Sequence, residues 1–451
     1  MNTDRICVHL WFHSSESAAE IDSLMTLMTR NAKARLILGL YATILVASPI
    51  VQGLRGLPSN DFGTYYAAGL RARTGLPLYL EDDPRNRLTA PPLVALAFAP
   101  FSLVSLEKAY WIWFVINVTA LFGCFYLSLK IARRMFKAAD LDVALITFLL
   151  LSRFILNHLQ RGQVNLPVFF LVLLALHWFE SGKRTISGVF LGLATAIKIF
   201  PVFFLCYWIR KREWLSASVM TLSLVVFSLL PACWFGIDAY GSYSTLWLRQ
   251  VGVRAALGNL PVDFFSPHPP YNLQNQSLFA AVIRLFSKGD ATGNHGVNVF
   301  ALENPGLQIL VLSVVVLFIA YTLVRGAQVD SEIRVVEYAL ICILMLLCIP
   351  LVWKANFVLL IFPYVVLLAA VKANVWAKGI FVTLAAATTL HYAPKLLPQG
   401  LNDVCYACSV LTASGLLIWS GALRLHFRCR SVTAHGEREA AEQPLSGLSL
   451  P

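Results

Sequence analysis

The sequence predicts an all-α protein, a polytopic transmembrane helical bundle, and three observations carry that prediction. Apolar residues make up 58% of the 451 residues and charged residues only 13%, far from the balance of a soluble domain. Apolar runs of about 20 residues, the length that crosses a bilayer core, recur along the chain. Lys and Arg clusters separate those runs, so the net charge of +12 is a topology signal. This composition excludes disordered and nucleic-acid-binding proteins.

Basic residues in short loops mark the cytoplasmic side, so successive clusters must enclose an outward and a returning segment. The rule predicts about 12 spans with both termini inside. The spans lie near 35–52, 108–129, 141–158, 165–180, 186–197, 200–209, 214–234, 306–324, 335–352, 356–371, 376–392 and 403–422. Residues 1–34 then form a cytoplasmic segment, 35–430 the transmembrane domain, and the polar stretch 431–451 a disordered cytoplasmic tail.

One interval is too short for two ordinary spans. Only 25 residues separate Arg184 from Arg210, yet the basic residues require the chain to go out and return there. The sequence therefore predicts two half-length helices, or a re-entrant pair, broken near Lys198 and Pro201. Interrupted helices at membrane depth are tolerated where they line a cavity, so this break is a candidate site wall.

Two long segments, 53–107 and 236–304, fall outside the membrane under this topology. Both are rich in Gly, Pro and aromatic residues, and both are long enough to form a vestibule over the membrane domain. The apolar stretch 91–107 is interpreted as a juxtamembrane helix on the outer surface.

Polar residues that a membrane helix does not hold without reason gather on the outer side. They are Asp61, Arg161, Gln163, Asn165, Lys198, Asn275, Gln276, Ser277, Trp353, Lys354 and Asn356. Each has a structural explanation when taken alone, such as a helix cap, a tight turn or a snorkelling lysine. Lys198 is the exception, since an ionisable residue within a helix pair is functional by default.

Together these residues suit a site for an anionic group facing one carboxylate. Cations and amides could hold a lipid phosphate, and a lone carboxylate could accept a proton from a nucleophile. Because phosphate is already a good leaving group, one base and electrostatic stabilisation suffice for glycosyl transfer by an inverting single displacement. We assign no metal and no cofactor; the Cys405 and Cys408 pair opens an apolar run and is better explained by helix packing.

The order of the motifs resembles glycosyltransferase family 87, membrane mannosyltransferases of the GT-C class that use polyprenyl-phosphate-mannose. The segments that carry the resemblance are Asn60 to Ala68, Gly75 to Tyr79, Ala90 to Pro92 with Pro100, Arg161 to Asn165, Gly188 to Pro201, Asn275 to Leu278, and Pro350 to Pro363. The resemblance implies that Asp61 is the catalytic base and that the donor lies at the outer membrane surface. Many relatives carry a histidine after the Trp, where this chain has Lys354, Ala355 and Asn356.

We therefore expect Asp61 to act as base. The donor phosphate and sugar are assigned to Lys198, Arg161, Gln163, Asn165, Asn275, Gln276 and Lys354, and an acceptor vestibule to Tyr65, Tyr66 and Tyr271. The expected partners are a polyprenyl-phosphate-hexose donor, with mannose favoured, a glycolipid or glycan acceptor, and the lipids of the plasma membrane. A lipid-linked glycan ligase or polymerase, or a secondary transporter or flippase, stays open as an alternative.

Overall fold

The computed structural model describes residues 61–79, 88–248, 273–286, 297–299, 302, 306–326 and 333–442. Its α-helices are α1 Asp61–Thr74, α2 Pro92–Phe98, α3 Leu106–Ala132, α4 Leu141–Arg161, α5 Asn165–Glu180, α6 Arg184–Ile197, α7 Phe203–Arg210, α8 Trp214–Phe235, α9 Ile237–Trp247, α10 Leu278–Phe286, α11 Gly306–Gly326, α12 Arg334–Leu347, α13 Ile361–Lys372, α14 Ala377–Leu396, α15 Gln399–Ala407 and α16 Val410–Glu442. Short 3₁₀ helices cover Ala99–Leu103, Phe200–Val202 and Lys354–Leu360.

The predicted all-α membrane bundle is confirmed. Six of the described helical segments are long and apolar enough to cross a membrane: Leu106–Ala132, Leu141–Arg161, Trp214–Phe235, Gly306–Gly326, Lys354–Lys372 and Val410–Ser431. Four further apolar helical segments are shorter: Pro92–Leu103, Asn165–Glu180, Arg184–Ile197 and Phe200–Arg210. The total of about 12 spans stays a prediction, and the first of them, 35–52, lies outside the described residues.

The segment Lys354–Lys372 is the centre of the bundle. Within its apolar stretch, 94% of the residues are buried inside the protein, and α13 packs against α3, α4, α12 and α14. At the periphery, only 17% of the apolar stretch of α11 and 28% of that of α8 are buried. The exposed Leu222, Val226 and Leu317 on these two helices suit contact with lipid chains rather than water.

The interrupted helix pair predicted near Lys198 is confirmed. Helix α6 ends at Ile197, Lys198 adopts an extended backbone, and the chain resumes through the 3₁₀ turn Phe200–Val202 into α7. An ion pair of 3.2 Å between Arg184 and Glu213 brings the two ends of the hairpin together. Lys198 therefore lies near the tip of a hairpin whose first helix is only about 21 Å long.

Ion pairs collect the basic loops at one end of the bundle. Glu180 pairs with Arg334 at 2.9 Å and with Arg134 at 3.6 Å, and Lys211 pairs with Glu337 at 3.2 Å. Asn165 begins α5, whose other end is Glu180, and Lys198 follows the end of α6, whose other end is Arg184. Gln163, in the turn before α5, bonds Asp61, so these candidate site residues lie at the opposite end of the bundle. The alternation of helix direction that the basic clusters predict therefore holds for the helices joined by these contacts.

Three boundaries differ from the sequence predictions. The span predicted at 335–352 ends as a helix at Leu347, since Pro350 cannot continue it. The span predicted at 403–422 is divided at Ser409, whose backbone is left-handed with φ 57°, so α15 and α16 are separate helices. Of the tail expected to be disordered, 431–451, the part up to Glu442 continues α16, because Arg, Glu and Ala are strong helix formers that extend a helix already begun, and 443–451 lies outside the described residues.

Both predicted outer segments contain helices where the structure describes them. The segment 53–107 includes α1 and the helical stretch Pro92–Leu103, which Pro100 interrupts within the predicted juxtamembrane helix 91–107. The segment 236–304 includes α9 and α10. An indole N–H of Trp247 donates to the Thr89 carbonyl at 3.1 Å, so the two outer segments touch.

Helices α6 and α8 approach so closely that a side chain on the facing surface of α6 would collide with backbone. A Cβ atom added at Gly192 would lie 2.8 Å from both the Leu224 nitrogen and the Met220 oxygen. Gly241 in α9 is also helical, but a Cβ atom there would meet nothing within 4 Å. The two glycines therefore form a matched pair for testing helix packing.

We expect Gly192→Ala to destabilise the protein by about 1–3 kcal/mol, because α6 and α8 must separate. Gly241→Ala should be neutral or slightly stabilising, since alanine is the better helix former. Thermal unfolding of the purified protein in detergent measures both. Equal unfolding temperatures for the two variants would show that the close approach of α6 and α8 does not matter.

Candidate active site

The candidate catalytic residue, Asp61, lies at the start of α1 and contacts the turn between α4 and α5. The Gln163 amide donates to Asp61 Oδ2 at 2.5 Å, and the Arg161 guanidinium lies 3.8 Å from the same oxygen. Both partners contact Oδ2, so among the described residues Oδ1 stays available to accept a proton. The side chains of Asp61 and Arg161 are 35% and 47% exposed, which leaves the carboxylate accessible to a ligand.

The turn owes its shape to Gly162. This residue ends α4 in the left-handed conformation with φ 63°, where a side chain is strained. A Cβ atom there would also lie 2.7 Å from the Phe62 Cβ atom, so α1 packs directly on the turn. Trp113 fixes the turn from the other side by donating to the Gly162 carbonyl at 2.8 Å. Asp61 and Gln163 are thus held by packing of their neighbours in the sequence.

Lys198 forms a second part of the site, around Asn165. Its ammonium donates to Asn165 Oδ1, while the Asn165 amide donates to the Ala355 carbonyl at 3.3 Å and to the Asn356 side chain at 3.4 Å. Asn165 follows Gln163, the partner of Asp61, by two residues, so one turn holds the partners of both Asp61 and Lys198. The predicted neighbourhood of Asp61, Gln163, Asn165 and Lys198 is therefore present.

Lys354 lies in a third part of the site together with Arg153, a residue that the sequence analysis missed. Its ammonium is 4.5 Å from the centre of the Tyr406 ring, and the hydroxyl of that ring accepts from Arg153. The charges of Arg153, Lys395 and Arg161 all act on Lys354. Arg153 lies inside the predicted span 141–158, and an arginine in an apolar span was the signal that could have identified it.

Asn275 and Gln276 serve the backbone and not an open site. The Asn275 amide donates to the Pro350 carbonyl at 2.9 Å and accepts from the Val352 N–H at 3.0 Å. Gln276 donates to the Tyr406 carbonyl at 3.0 Å and accepts from the Leu411 N–H at 3.2 Å. Both side chains are buried, at 3% and 0% exposed, so these contacts favour a structural role over the predicted contact with the donor.

The predicted acceptor vestibule is altered as well. Tyr65 is buried: its ring packs on Phe98 at 5.1 Å and its hydroxyl donates to Gln163 Oε1 at 3.3 Å. Burial, together with the charge of Asp61, raises the pKa of Tyr65, so the hydroxyl stays protonated as a donor. Tyr66 is half-buried and donates to the Val104 carbonyl at 2.9 Å, and Tyr271 lies outside the described residues. Tyr65 therefore supports the Gln163 amide instead of offering a face to a sugar.

Within the described ranges, no three His, Cys, Asp or Glu side chains converge as metal ligands would. Among the carboxylate, lysine and arginine side chains described, the site brings together Asp61, Arg153, Arg161, Lys198 and Lys354, and the buried ring of His158 bonds the Asn117 side chain nearby at 2.9 Å. Such a site is able to bind an anion and to take one proton from a nucleophile.

Comparison with known proteins identifies the family. The model of glycosyltransferase family 87 matches residues 89–350, more than half of the chain. The chain belongs to glycosyltransferase family 87. The resemblance seen in the sequence motifs is thereby confirmed, and with it the glycosyltransferase class. Asp61 lies outside the matched residues, so its role rests on the geometry of the site.

Two relatives of this family 87 chain, one mycobacterial and one corynebacterial, show its similarity to named enzymes. The polyprenol-phosphate-mannose-dependent alpha-(1-2)-phosphatidylinositol mannoside mannosyltransferase of Mycolicibacterium smegmatis is 23% identical over 436 residues, covering 86% of this chain and 88% of that protein. The alpha-(1->3)-arabinofuranosyltransferase of Corynebacterium glutamicum is 26% identical over 230 residues, 48% of this chain. That alignment spans only 53% of the arabinofuranosyltransferase, about half its length.

One solved structure is also similar to the family 87 chain. It is the crystal structure of ArnT from Cupriavidus metallidurans bound to undecaprenyl phosphate, with 13% identity and a TM-score of 0.33 over 89% of this chain and 80% of that one. A likeness of this size is too weak to support an inference about the site.

We expect Gln276→Leu to lower the stability of the protein by about 1–3 kcal/mol for each buried backbone group left unpaired. The reason is that the leucine cannot replace the bonds to Tyr406 and Leu411. Thermal unfolding in detergent measures the loss. An unchanged unfolding temperature, combined with weaker donor binding, would instead return Gln276 to the donor site.

Proposed function

We propose that this protein transfers a hexose, with mannose favoured, from a polyprenyl-phosphate-sugar to a glycolipid or glycan acceptor at the outer face of the plasma membrane. One observation carries the proposal: an accessible carboxylate, Asp61, is oriented by Gln163 and Arg161 in a site that also holds the cations Lys198 and Lys354. A neutral transport substrate would not require this excess of positive charge. The membership of family 87 supports the glycosyl transfer.

The proposed reaction is a single displacement with inversion. Asp61 Oδ1 accepts the proton of an acceptor hydroxyl while that oxygen bonds to the anomeric carbon of the sugar. The bond between that carbon and the phosphate oxygen breaks, and the electron pair leaves with the polyprenyl phosphate. Lys198 stabilises the added negative charge, since its ammonium is held in place by Asn165 before the reaction begins. Gln163 and Arg161 keep the other carboxylate oxygen fixed.

The relatives leave two sugars to compare. Mannose is supported by the relative that aligns over 86% of the chain, whose name gives polyprenol-phosphate-mannose as the donor. Arabinofuranose is the second candidate, since a shorter alignment reaches an arabinofuranosyltransferase at 26% identity. Transfer assays with each polyprenyl-phosphate-linked sugar, run on membranes that contain the native acceptor, distinguish them.

We expect Asp61→Asn to reduce the turnover number by about 100- to 10,000-fold, because the asparagine amide cannot take the acceptor proton. Binding of the donor should change little, since Asn keeps the shape of the side chain. Asp61→Glu should also lose about 100-fold, since an extra methylene displaces the oxygen. Sugar transfer and polyprenyl phosphate binding are measured on the same preparations.

A matched control is Asp238→Asn, which removes an exposed carboxylate from the first turn of the outer helix α9. This variant should transfer sugar at the normal rate. Near-normal transfer by Asp61→Asn would overturn the proposed base. Asp263, which lies outside the described residues, would then be the next carboxylate to test.

The outward orientation of the site is tested with single cysteines at Thr74 and Ser181, in a chain whose nine native cysteines are replaced. Both positions are exposed, and each hydroxyl donates only to the carbonyl four residues earlier, so the substitutions are equally mild. In intact cells, an impermeant maleimide should modify the cysteine at 74 and not the one at 181. The opposite pattern would place the site in the cytoplasm.

A further inference from the structure

Arg153 is a buried cation that pairs with no carboxylate in the described part of the chain. It lies on α4 eight residues before Arg161, about 12 Å deeper along the helix. It is 8% exposed, and its guanidinium donates to the His391 carbonyl and to the Tyr406 hydroxyl. Within the described ranges it pairs with no acid, and Asp403, on the same helix as Tyr406, forms no ion pair there either.

A structural role alone does not account for this cluster. Two neutral oxygens could make Arg153 a link between α4, α14 and α15. Lys354, however, adds a second charge over the same tyrosine ring, 4.5 Å from its centre, and Lys395 and Arg161 add more positive charge around it. Cations gathered in a partly buried place repel one another and cost stability unless an anion joins them. The arrangement therefore lacks the negative group that would balance it.

Phosphate is the anion that this cluster fits. A guanidinium binds two phosphate oxygens in its fork, while lysine ammonium groups act as point charges around them. Lys395, in the last turn of α14, is exposed, so this side of the cluster reaches the surface of the protein. A phosphate group attached to a lipid could enter from that side.

This cluster has other polar partners than the place assigned to the donor phosphate. Lys198 bonds Asn165 and interacts with Asp61, whereas Lys354 interacts with Arg153, Arg161 and Lys395. Asn165 in turn bonds Ala355 and Asn356, so the 354–356 segment connects the two cation groups. Arg161, beside Asp61, borders the second group.

We propose that Arg153, Lys354 and Lys395 form a second anion-binding site that holds the phosphate of a lipid-anchored acceptor, while Lys198 holds the phosphate of the donor. The assignment rests on the proposed function and narrows the acceptor class to anionic, phosphate-bearing glycolipids. Anchoring the acceptor by its phosphate would present one of its hydroxyls to Asp61. A neutral glycan would leave the second cation group unpaired.

The test is native mass spectrometry of the full-length protein in neutral detergent, titrated with two probes, a polyprenyl phosphate and dioleoyl phosphatidylglycerol. Dioleoyl phosphatidylcholine serves as the zwitterionic comparison lipid. The variants are Lys354→Gln, Lys198→Gln and Lys108→Gln. Lys354 is chosen over Arg153 because it is partly exposed and less needed for folding, and exposed Lys108 in the first turn of α3 is the control for loss of one charge.

We expect the wild-type protein to bind both probes at once and to favour phosphatidylglycerol over phosphatidylcholine. Lys354→Gln should weaken phosphatidylglycerol binding about tenfold, the effect of one charge-assisted hydrogen bond, with polyprenyl phosphate binding unchanged within about twofold. Lys198→Gln should have the reverse effect, and Lys108→Gln should match the wild type.

Three results would overturn the second site: mutually exclusive binding of the two probes, equal binding of phosphatidylcholine, or weaker polyprenyl phosphate binding in Lys354→Gln. The last result would assign Lys354 to the donor. Failure of the proposed function has a different signature, since the wild type itself would then bind no polyprenyl phosphate. In that case the acceptor assignment is rejected as well, whether or not phosphatidylglycerol binds.

Discussion

The constraint on which the structure depends is that an interrupted helix inside a membrane bundle must find hydrogen-bond partners for its free backbone groups within the protein. Two of the interruptions, after Leu347 and at Ser409, are served by neighbouring amides. Asn275 binds the Pro350 and Val352 backbone, and Gln276 binds the Tyr406 and Leu411 backbone. The break at Lys198 is a third interruption, and there the lysine side chain itself donates to Asn165.

The charged side chains are balanced at one end of the bundle and unbalanced in the candidate site at the other. At the basic-loop end, buried Glu337 accepts from Tyr207 at 2.6 Å and pairs with Lys211, while Glu180 takes Arg334 and the Tyr338 hydroxyl. Charges there compensate one another and hold helices together. In the candidate site, Arg153, Arg161, Lys198 and Lys354 outnumber the one carboxylate that they are grouped with, Asp61, so a bound anion would balance the excess positive charge. A bound anion would thus join contacts that the protein alone leaves incomplete.

The fold was largely predictable because its signals are local. The length of an apolar run such as Leu106–Ala132 predicts a membrane span, and the basic residues after it predict the direction of that span. The helix break at Lys198 was predicted from the short interval between the basic residues on either side of it. The end of α12 at Leu347 and the division at Ser409 were missed, since they depend on contacts with Asn275 and Gln276, far away in the sequence. The continuation of α16 past Ser431 was missed because the polar composition of this segment predicts exposure to solvent but does not predict whether the segment is helical.

The site was predicted in part, for a related reason. Asp61, Gln163 and Lys198 were identified because short motifs carry them, whereas Arg153 joins Lys354, Tyr406 and Lys395 only through folding. Asparagine and glutamine were assigned to the donor because an amide offers the same donors to a sugar as to a backbone carbonyl. The presence of lysine at 354, where the family resemblance implies a histidine nearby, fits this arrangement. Beside Arg153 and Arg161, the lysine ammonium adds a compact point charge that suits a phosphate oxygen.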